Sequence, residues 1–191
     1  MVNFEIEIKL RLSSDISKIR RTLRKLGFRI TEARSHEFNT LFDNPKDALG
    51  EQGKLIRIRR VGRHALLTYK GPSKSGRYKK RHELEVYVSD ADLLEKIFKN
   101  IGYQPVFRYE KFRTEFSNPS EQAGKVLLDE TPVGNFLELE GTPRWIGRTA
   151  RLLGFSQADY ITGSYGYLHM RYCREYGLKS KDMLFTSRRN A

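Results

Sequence analysis

Carboxylates recur at a spacing of two in this chain. Glu5/Glu7, Glu83/Glu85 and Glu138/Glu140 are Glu-x-Glu pairs, each with an apolar residue between the acids. Cations follow the same rule in Arg57/Arg59 and Lys111/Arg113. Residues two apart on a strand share a face, so each segment carries charge on one side and apolar side chains on the other. Carboxylates converging from separate strands can serve as hard oxygen ligands for Mg²⁺ or Mn²⁺. Arg and Lys facing them can hold a polyanion by charge-assisted hydrogen bonds, Arg in a bidentate manner. Paired carboxylates raise each other's pKa unless a cation offsets the repulsion; Lys9 beside Glu5 and Glu7 helps, and a divalent metal would help more. A metal, carboxylates and cations with no Ser, His or Cys nucleophile suit phosphoryl or nucleotidyl chemistry, which depends on positioning and charge neutralisation. No acyl-transfer triad is visible, and Gly71-Pro72-Ser73 lacks the P-loop spacing.

These residues need strands to hold them. Phe4 to Leu12 alternates apolar and charged without a break. Ser13-Ser14-Asp15 can cap a helix over 15–26, with Ile16, Ile19, Leu23 and Leu26 on one face and Lys18, Arg20, Arg21, Arg24 and Lys25 on the other. Gly27 stands where a C-terminal cap belongs. Strands are expected near 36–43, 54–61 and 64–70, then a turn-rich basic linker over 71–80. The pattern then restarts: a strand around Glu83-Leu84-Glu85-Val86, a helix capped by Ser89 and closed by Gly102, and strands near 107–116, 125–129 and 136–140. The chain therefore reads as two diverged β-α-β-β-β halves, a duplication of one unit. Helices are expected over Trp145–Leu153 and over about 164–176. Residues 1–178 are expected to form one domain, and 179–191 a flexible basic tail.

An ordinary antiparallel sheet with solvated charged faces accounts for any single strand here. Eight strands, however, are enough to close a barrel, and the few amphipathic helices must cover apolar strand faces. With helices outside, the charged faces turn inward. The expected fold is α+β: a closed eight-stranded antiparallel barrel forming a charged tunnel, with helices packed outside.

The ordered motifs carry a resemblance. Glu5-x-Glu7-x-Lys9 is followed by Asn39-Thr40-Leu41-Phe42-Asp43, Leu55-Ile56-Arg57-Ile58-Arg59 and Leu67-Thr68-Tyr69-Lys70-Gly71-Pro72. Arg81-His82-Glu83-Leu84-Glu85, Lys111-Phe112-Arg113, Asp129 and Gly134-Asn135-Phe136-Leu137-Glu138-Leu139-Glu140-Gly141 complete the series. Over roughly residues 4–170 the sequence resembles the CYTH superfamily of triphosphate tunnel metalloenzymes, which includes class IV adenylyl cyclases, thiamine triphosphatases and inorganic tripolyphosphatases. The resemblance implies a tunnel that binds a triphosphate with Mg²⁺ or Mn²⁺. By matching position it implies Glu5, Glu7, Asp129, Glu138 and Glu140 on the metal side. Lys9, Arg57, Arg59, Lys70, Lys111 and Arg113 would grip the triphosphate, with Lys9 and Lys70 catalytic. Glu83 and Glu85 would be further tunnel acids, and Arg81 adjoins them as a strand-edge charge. The stretch from Trp145 to Leu168 is most similar to the cyclase-like subgroup, so conversion of ATP to cyclic AMP and pyrophosphate is the first expectation. Hydrolysis of thiamine triphosphate or tripolyphosphate is the alternative, and a non-catalytic RNA- or polyphosphate-binding module a second one.

Composition bounds the rest. The 191 residues carry 36 Lys and Arg against 23 Asp and Glu, a formal charge of +13. The seven cations and seven acids assigned to the tunnel cancel, so the excess lies elsewhere, on the first helix, the linker and the tail. Nucleic acid is thereby open as a partner but not favoured. A lone Cys173 excludes a disulfide framework or Cys-based zinc site, and the four histidines show no metal-ligand spacing. No apolar run approaches a membrane span and no signal-peptide pattern opens the sequence, so a cytoplasmic protein with no membrane partner is expected. A homodimer is left open.

Overall fold

The structure is a computed structural model that describes residues 4–13, 15–74 and 76–186. The strands are β1 (Phe4–Arg11), β2 (Arg29–Asp43), β3 (Leu55–Val61), β4 (His64–Lys70), β5 (Lys79–Val88), β6 (Gln104–Asn118), β7 (Glu121–Thr131) and β8 (Gly134–Gly141). The helices are α1 (Ile16–Lys25), α2 (Ala48–Glu51), α3 (Ala91–Asn100), α4 (Pro143–Leu152) and α5 (Tyr165–Glu175). The strands close into an antiparallel barrel in the order β1-β5-β4-β3-β2-β6-β7-β8. This is the expected eight-stranded barrel with helices outside.

The order carries the duplication. Exchanging β1 with β5, β2 with β6, β3 with β7 and β4 with β8 leaves every neighbour relation intact. The halves therefore join through like strands, β1 on β5 and β2 on β6. β2 and β6 are both 15 residues long and pair from Arg29↔Ser117 to Asp43↔Gln104. Gly27 and Gly102 close α1 and α3 at the same φ of 88°, a left-handed cap position that favours glycine.

Both faces of the barrel wall are covered. On β1, Ile8 and Leu10 pack with Ile19 and Leu23 of α1 and Trp145, Ile146 and Ala150 of α4 in an external core. Glu7 and Lys9, on the opposite face, are buried inside the barrel. Phe98 of α3 covers Phe42 and Ile58. The hydrophobic effect thus holds the helices on the outer face, while the inner face carries the charges beside an apolar cluster around Tyr109, Phe136 and Tyr165.

Several boundaries differ from the sequence expectation. Asp90, not Ser89, caps α3, its side chain accepting the Leu93 N–H at 2.8 Å. α4 starts two residues before Trp145, at Pro143, because Thr142 caps it and Pro suits the first helical turn. β2 extends seven residues earlier than expected because its long partner β6 supplies hydrogen bonds there. Asp15 caps α1, accepting from the Ser17 N–H; Ser14 lies outside the described residues.

The end of the chain is a correction for 179–186. Met183 is fully buried and pairs in parallel with Tyr109, its N–H donating to Arg108 and its carbonyl accepting from Glu110. β6 pairs with β7 only from Phe112 onward, so Met183 caps an otherwise open edge. Ile161 does the same for β1 beyond its pairing with β5, exchanging two hydrogen bonds with Lys9. Hydropathy periodicity cannot show edge pairing by an irregular segment. Residues 187–191 lie outside the described residues. No described helix is long and apolar enough to cross a membrane.

Candidate active site

The barrel encloses a cavity of about 490 Å³. β1 contributes Glu5, Glu7 and Lys9, and β8 contributes Glu138 and Glu140. Arg57 and Arg59 of β3, Lys70 of β4 and Lys111 and Arg113 of β6 line it with them. Glu83 and Glu85 line it from β5. The period-two pattern places these side chains inward because the alternate positions are held by the external core.

Three carboxylates converge as a group. Glu5, Glu7 and Glu140 each offer an oxygen within 4.8 Å of the others, a group able to hold a metal ion. Burial and the neighbouring Glu5 charge push Glu140 up to about 7. Burial and a hydrogen bond shared with Glu5 likewise push Glu83 up to about 7, against the pull of Lys70. Burial also disfavours the Glu7 carboxylate, but Lys9 and Lys79 override it and hold Glu7 far below the usual carboxylate range.

Each cation is clasped by acids. Lys9 lies 2.9 Å from Glu138 and 3.3 Å from Glu7, and burial notwithstanding these partners hold it charged. Lys70 bridges Glu5 at 2.6 Å and Glu83 at 2.8 Å. Arg59 reaches Glu85 at 2.6 Å, and Arg57 donates to the Tyr109 hydroxyl at 3.1 Å and to Thr68 at 3.2 Å. Arg113 binds Asp129 in a fork and also Glu138.

Two positions differ from their sequence assignment. Asp129 is fully buried, does not line the cavity, and accepts from Lys111, Arg113 and the Tyr165 hydroxyl. With its oxygens so engaged it anchors cations and stands apart from the Glu5–Glu7–Glu140 group. Arg81 is no strand-edge charge: it is buried and donates to the Gly71 carbonyl twice and to Gly53, tying two loops at the cavity wall. Glu138 adjoins the acid group but is occupied by Lys9 and Arg113.

The sequence reading missed several contributors. Lys79 sits 2.7 Å from Glu7, and stepping back by two from Glu83 and Arg81 along β5 would have found it. Glu37 is buried, 3.5 Å from both Arg59 and Lys111, on the inner face two residues before Asn39. Burial opposes its charge, but Lys111, Arg113 and Arg59 hold it well below the usual carboxylate range. Tyr165 enters from α5, packs tilted against Tyr109 and edge-on against Phe136, and lies under the Lys9 and Lys111 ammonium groups. Nothing in its local sequence marks this, because docking of α5 on the barrel decides it.

A family model for the CYTH domain matches residues 3–165. Three relatives each carry the description putative adenylate or adenylyl cyclase. One, from Methanocaldococcus jannaschii, is 32% identical over 136 residues, covering 71% of this chain and 75% of that protein. A solved structure from Vibrio parahaemolyticus superposes with a TM-score of 0.77 at 19% identity, over 89% of this chain and 99% of that one. A solved structure from Hippeastrum, described as having a dominant triphosphatase activity, superposes with a TM-score of 0.62 at 18% identity, over 92% and 97% of the two chains. The last two identities speak for the fold alone.

Proposed function

The chain belongs to the CYTH domain family, and from that premise we propose that it is a divalent-metal-dependent enzyme acting on a nucleoside or organic triphosphate inside the barrel. Conversion of ATP to cyclic AMP and pyrophosphate is the first reading. The observation that carries it is a lumen that holds a group of three close carboxylates, Glu5, Glu7 and Glu140, together with the cations of β3, β4 and β6.

The acid group fits a small hard cation: three carboxylate oxygens from two paired strands converge, and like charges at this range are relieved by a dication. Glu5, Glu7 and Glu140 would hold Mg²⁺ or Mn²⁺, which supplies neutralisation of phosphoryl oxygens and a template for the bound chain. The protein's own groups do the rest. Arg57, Arg59, Lys111 and Arg113 bind phosphoryl oxygens, exchanging their present acid partners for the ligand. Lys9 and Lys70 meet the charge that gathers as the bond to the leaving phosphate breaks. In cyclisation the ribose 3′-oxygen attacks the α-phosphorus, the bond from that phosphorus to the bridging oxygen breaks, pyrophosphate leaves, and the hydroxyl proton passes to a base.

The same lining supports a second reading, hydrolysis at the terminal phosphorus of thiamine triphosphate or tripolyphosphate. The activity described for the Hippeastrum neighbour favours keeping it. Incubation with ATP, thiamine triphosphate and tripolyphosphate, each with Mg²⁺ or Mn²⁺, separates the readings by product. Cyclic AMP with pyrophosphate supports cyclisation, and orthophosphate supports hydrolysis. No turnover of any of them, together with salt-dependent RNA binding, overturns the enzyme reading in favour of a binding module.

A further inference from the structure

Among the described residues, seven buried side-chain nitrogen and oxygen atoms have no hydrogen-bond partner, and five of them belong to Glu37, Asn39, Arg57 and Arg59. They share one patch of wall. Asn39 pairs across β2–β3 with Arg59, and Leu41 pairs with Arg57; across β2–β6, Asn39 faces Tyr109. Asn39 is 0% exposed, and neither its Oδ1 nor its Nδ2 is bonded. By period two it shares the inner face of β2 with Glu37, which reaches Arg59 and Lys111, and with Leu41, which lines the cavity.

A buried amide without partners destabilises the protein that carries it, so its retention asks for something that completes it. The unused capacity is lopsided. Asn39 Nδ2 offers two N–H groups, and the Nε atoms of Arg57 and Arg59 offer one each. The unused acceptors are Asn39 Oδ1 and Glu37 Oε2, and the latter already lies 3.5 Å from the Lys111 ammonium. Donors exceed acceptors beside two guanidinium groups, so the complement is an anion with several oxygens.

We infer that Asn39, with the Nε edges of Arg57 and Arg59, forms a deep subsite for a phosphoryl group, either the terminal group of a bound triphosphate or a phosphate released in the tunnel. The inference rests on the triphosphate reading and adds a neutral residue to it. Asn39 contributes directed hydrogen bonds where the cations contribute charge, so it fixes how far the chain of phosphates enters.

The test compares wild type with Asn39→Leu, close in size and apolar, and with Asn39→Ala, in case leucine overfills the wall. Calorimetric titrations use tripolyphosphate, pyrophosphate and orthophosphate, alongside thermal unfolding without ligand. The expected result is a pair of opposite effects. Loss of hydrogen bonds to a charged ligand weakens binding about tenfold or more in both variants. The ligand-free Asn39→Leu protein melts at or above the wild-type temperature, because an unsatisfied amide has gone. Weakening confined to tripolyphosphate assigns the subsite to the end of the intact chain, and weakening of orthophosphate as well assigns it to the single phosphoryl group. Wild-type affinity in both variants overturns the role of Asn39 while leaving the triphosphate reading standing. Asn39→Leu melting well below wild type also overturns it, since the amide would then be satisfied structurally. Folded wild type that binds none of the three anions overturns both readings.

Discussion

The Tyr165 hydroxyl donates to Asp129 Oδ2 at 2.6 Å, joining the first residue of α5 to a fully buried carboxylate of β7. Burial and the Asp129 charge hold the phenol well above its ordinary pKa, so it remains a donor. Asp129 also anchors Lys111 and Arg113, so a helix outside the barrel fixes the carboxylate that orients two cavity cations.

This predicts that Asp129→Asn destabilises the protein by about 3–5 kcal/mol, because it leaves two buried cations short of their partner. Tyr165→Phe costs about 1.5–3 kcal/mol, since one hydrogen bond to a charged acceptor is lost. Chemical denaturation of both variants checks the order; equal effects would contradict the shared anchor.

Glu140→Gln behaves otherwise. It removes a carboxyl crowded by Glu5, so folding stability is unchanged or rises, while metal-dependent turnover falls at least about a hundredfold. In wild type, Mg²⁺ or Mn²⁺ at about a hundred times its Kd adds about 2.7 kcal/mol to stability, seen as a rise in Tm that a chelator reverses. Glu140→Gln should lose most of that rise. A variant that keeps both the rise and the turnover removes Glu140 from the metal group.

Acid stability should depend on Glu37. In the folded protein, against the opposing effect of burial, Lys111, Arg113 and Arg59 hold its pKa well below the usual Glu value of 4.5. The folded state therefore binds the proton less readily than the unfolded chain. Its contribution is complete above the unfolded value and is lost as pH falls below about 4.5 toward the folded pKa. Glu37→Gln should be less stable than wild type at pH 7, with the gap closing as the pH is taken below 4. Denaturation series at pH 7, 5 and 3.5 test this, and a gap that widens with acid refutes it.

Met183→Ala should cost about 2–5 kcal/mol, as for other buried Met truncations, because the side chain is fully buried under the β6 edge. For a chain of this length that is a fall in Tm of several degrees. Amide exchange at Glu110, whose N–H donates to Met183, should rise in parallel. Unchanged Tm and unchanged exchange at Glu110 would show that the segment adds nothing to the barrel.

Much of the architecture was legible in the residues. The alternation in Phe4–Arg11, Leu55–Val61 and Gly134–Gly141 dictates strands with one charged face, and the helices have apolar stripes needing cover, so an inward-facing set of charges follows. The duplication was legible from the repeated strand, helix and glycine cap. Periodicity assigns a face but not a partner, and the remaining questions concern partners. Glu5, Glu7 and Glu140 converge because β1 pairs with β8 at Glu7↔Glu140, a register that nothing local specifies. Asp129 and Glu138 obey the same inward rule, yet they are taken up by Lys111, Arg113 and Lys9, since charges in a closed interior pair with whichever opposite charge the register brings within reach. Sequence by itself determined which face of each strand carries the charges that turn into the tunnel. Only the closed barrel, with α5 and Met183 docked upon it, decided which of them remain open to a metal or a phosphate, because that depends on distances between strands far apart in the chain.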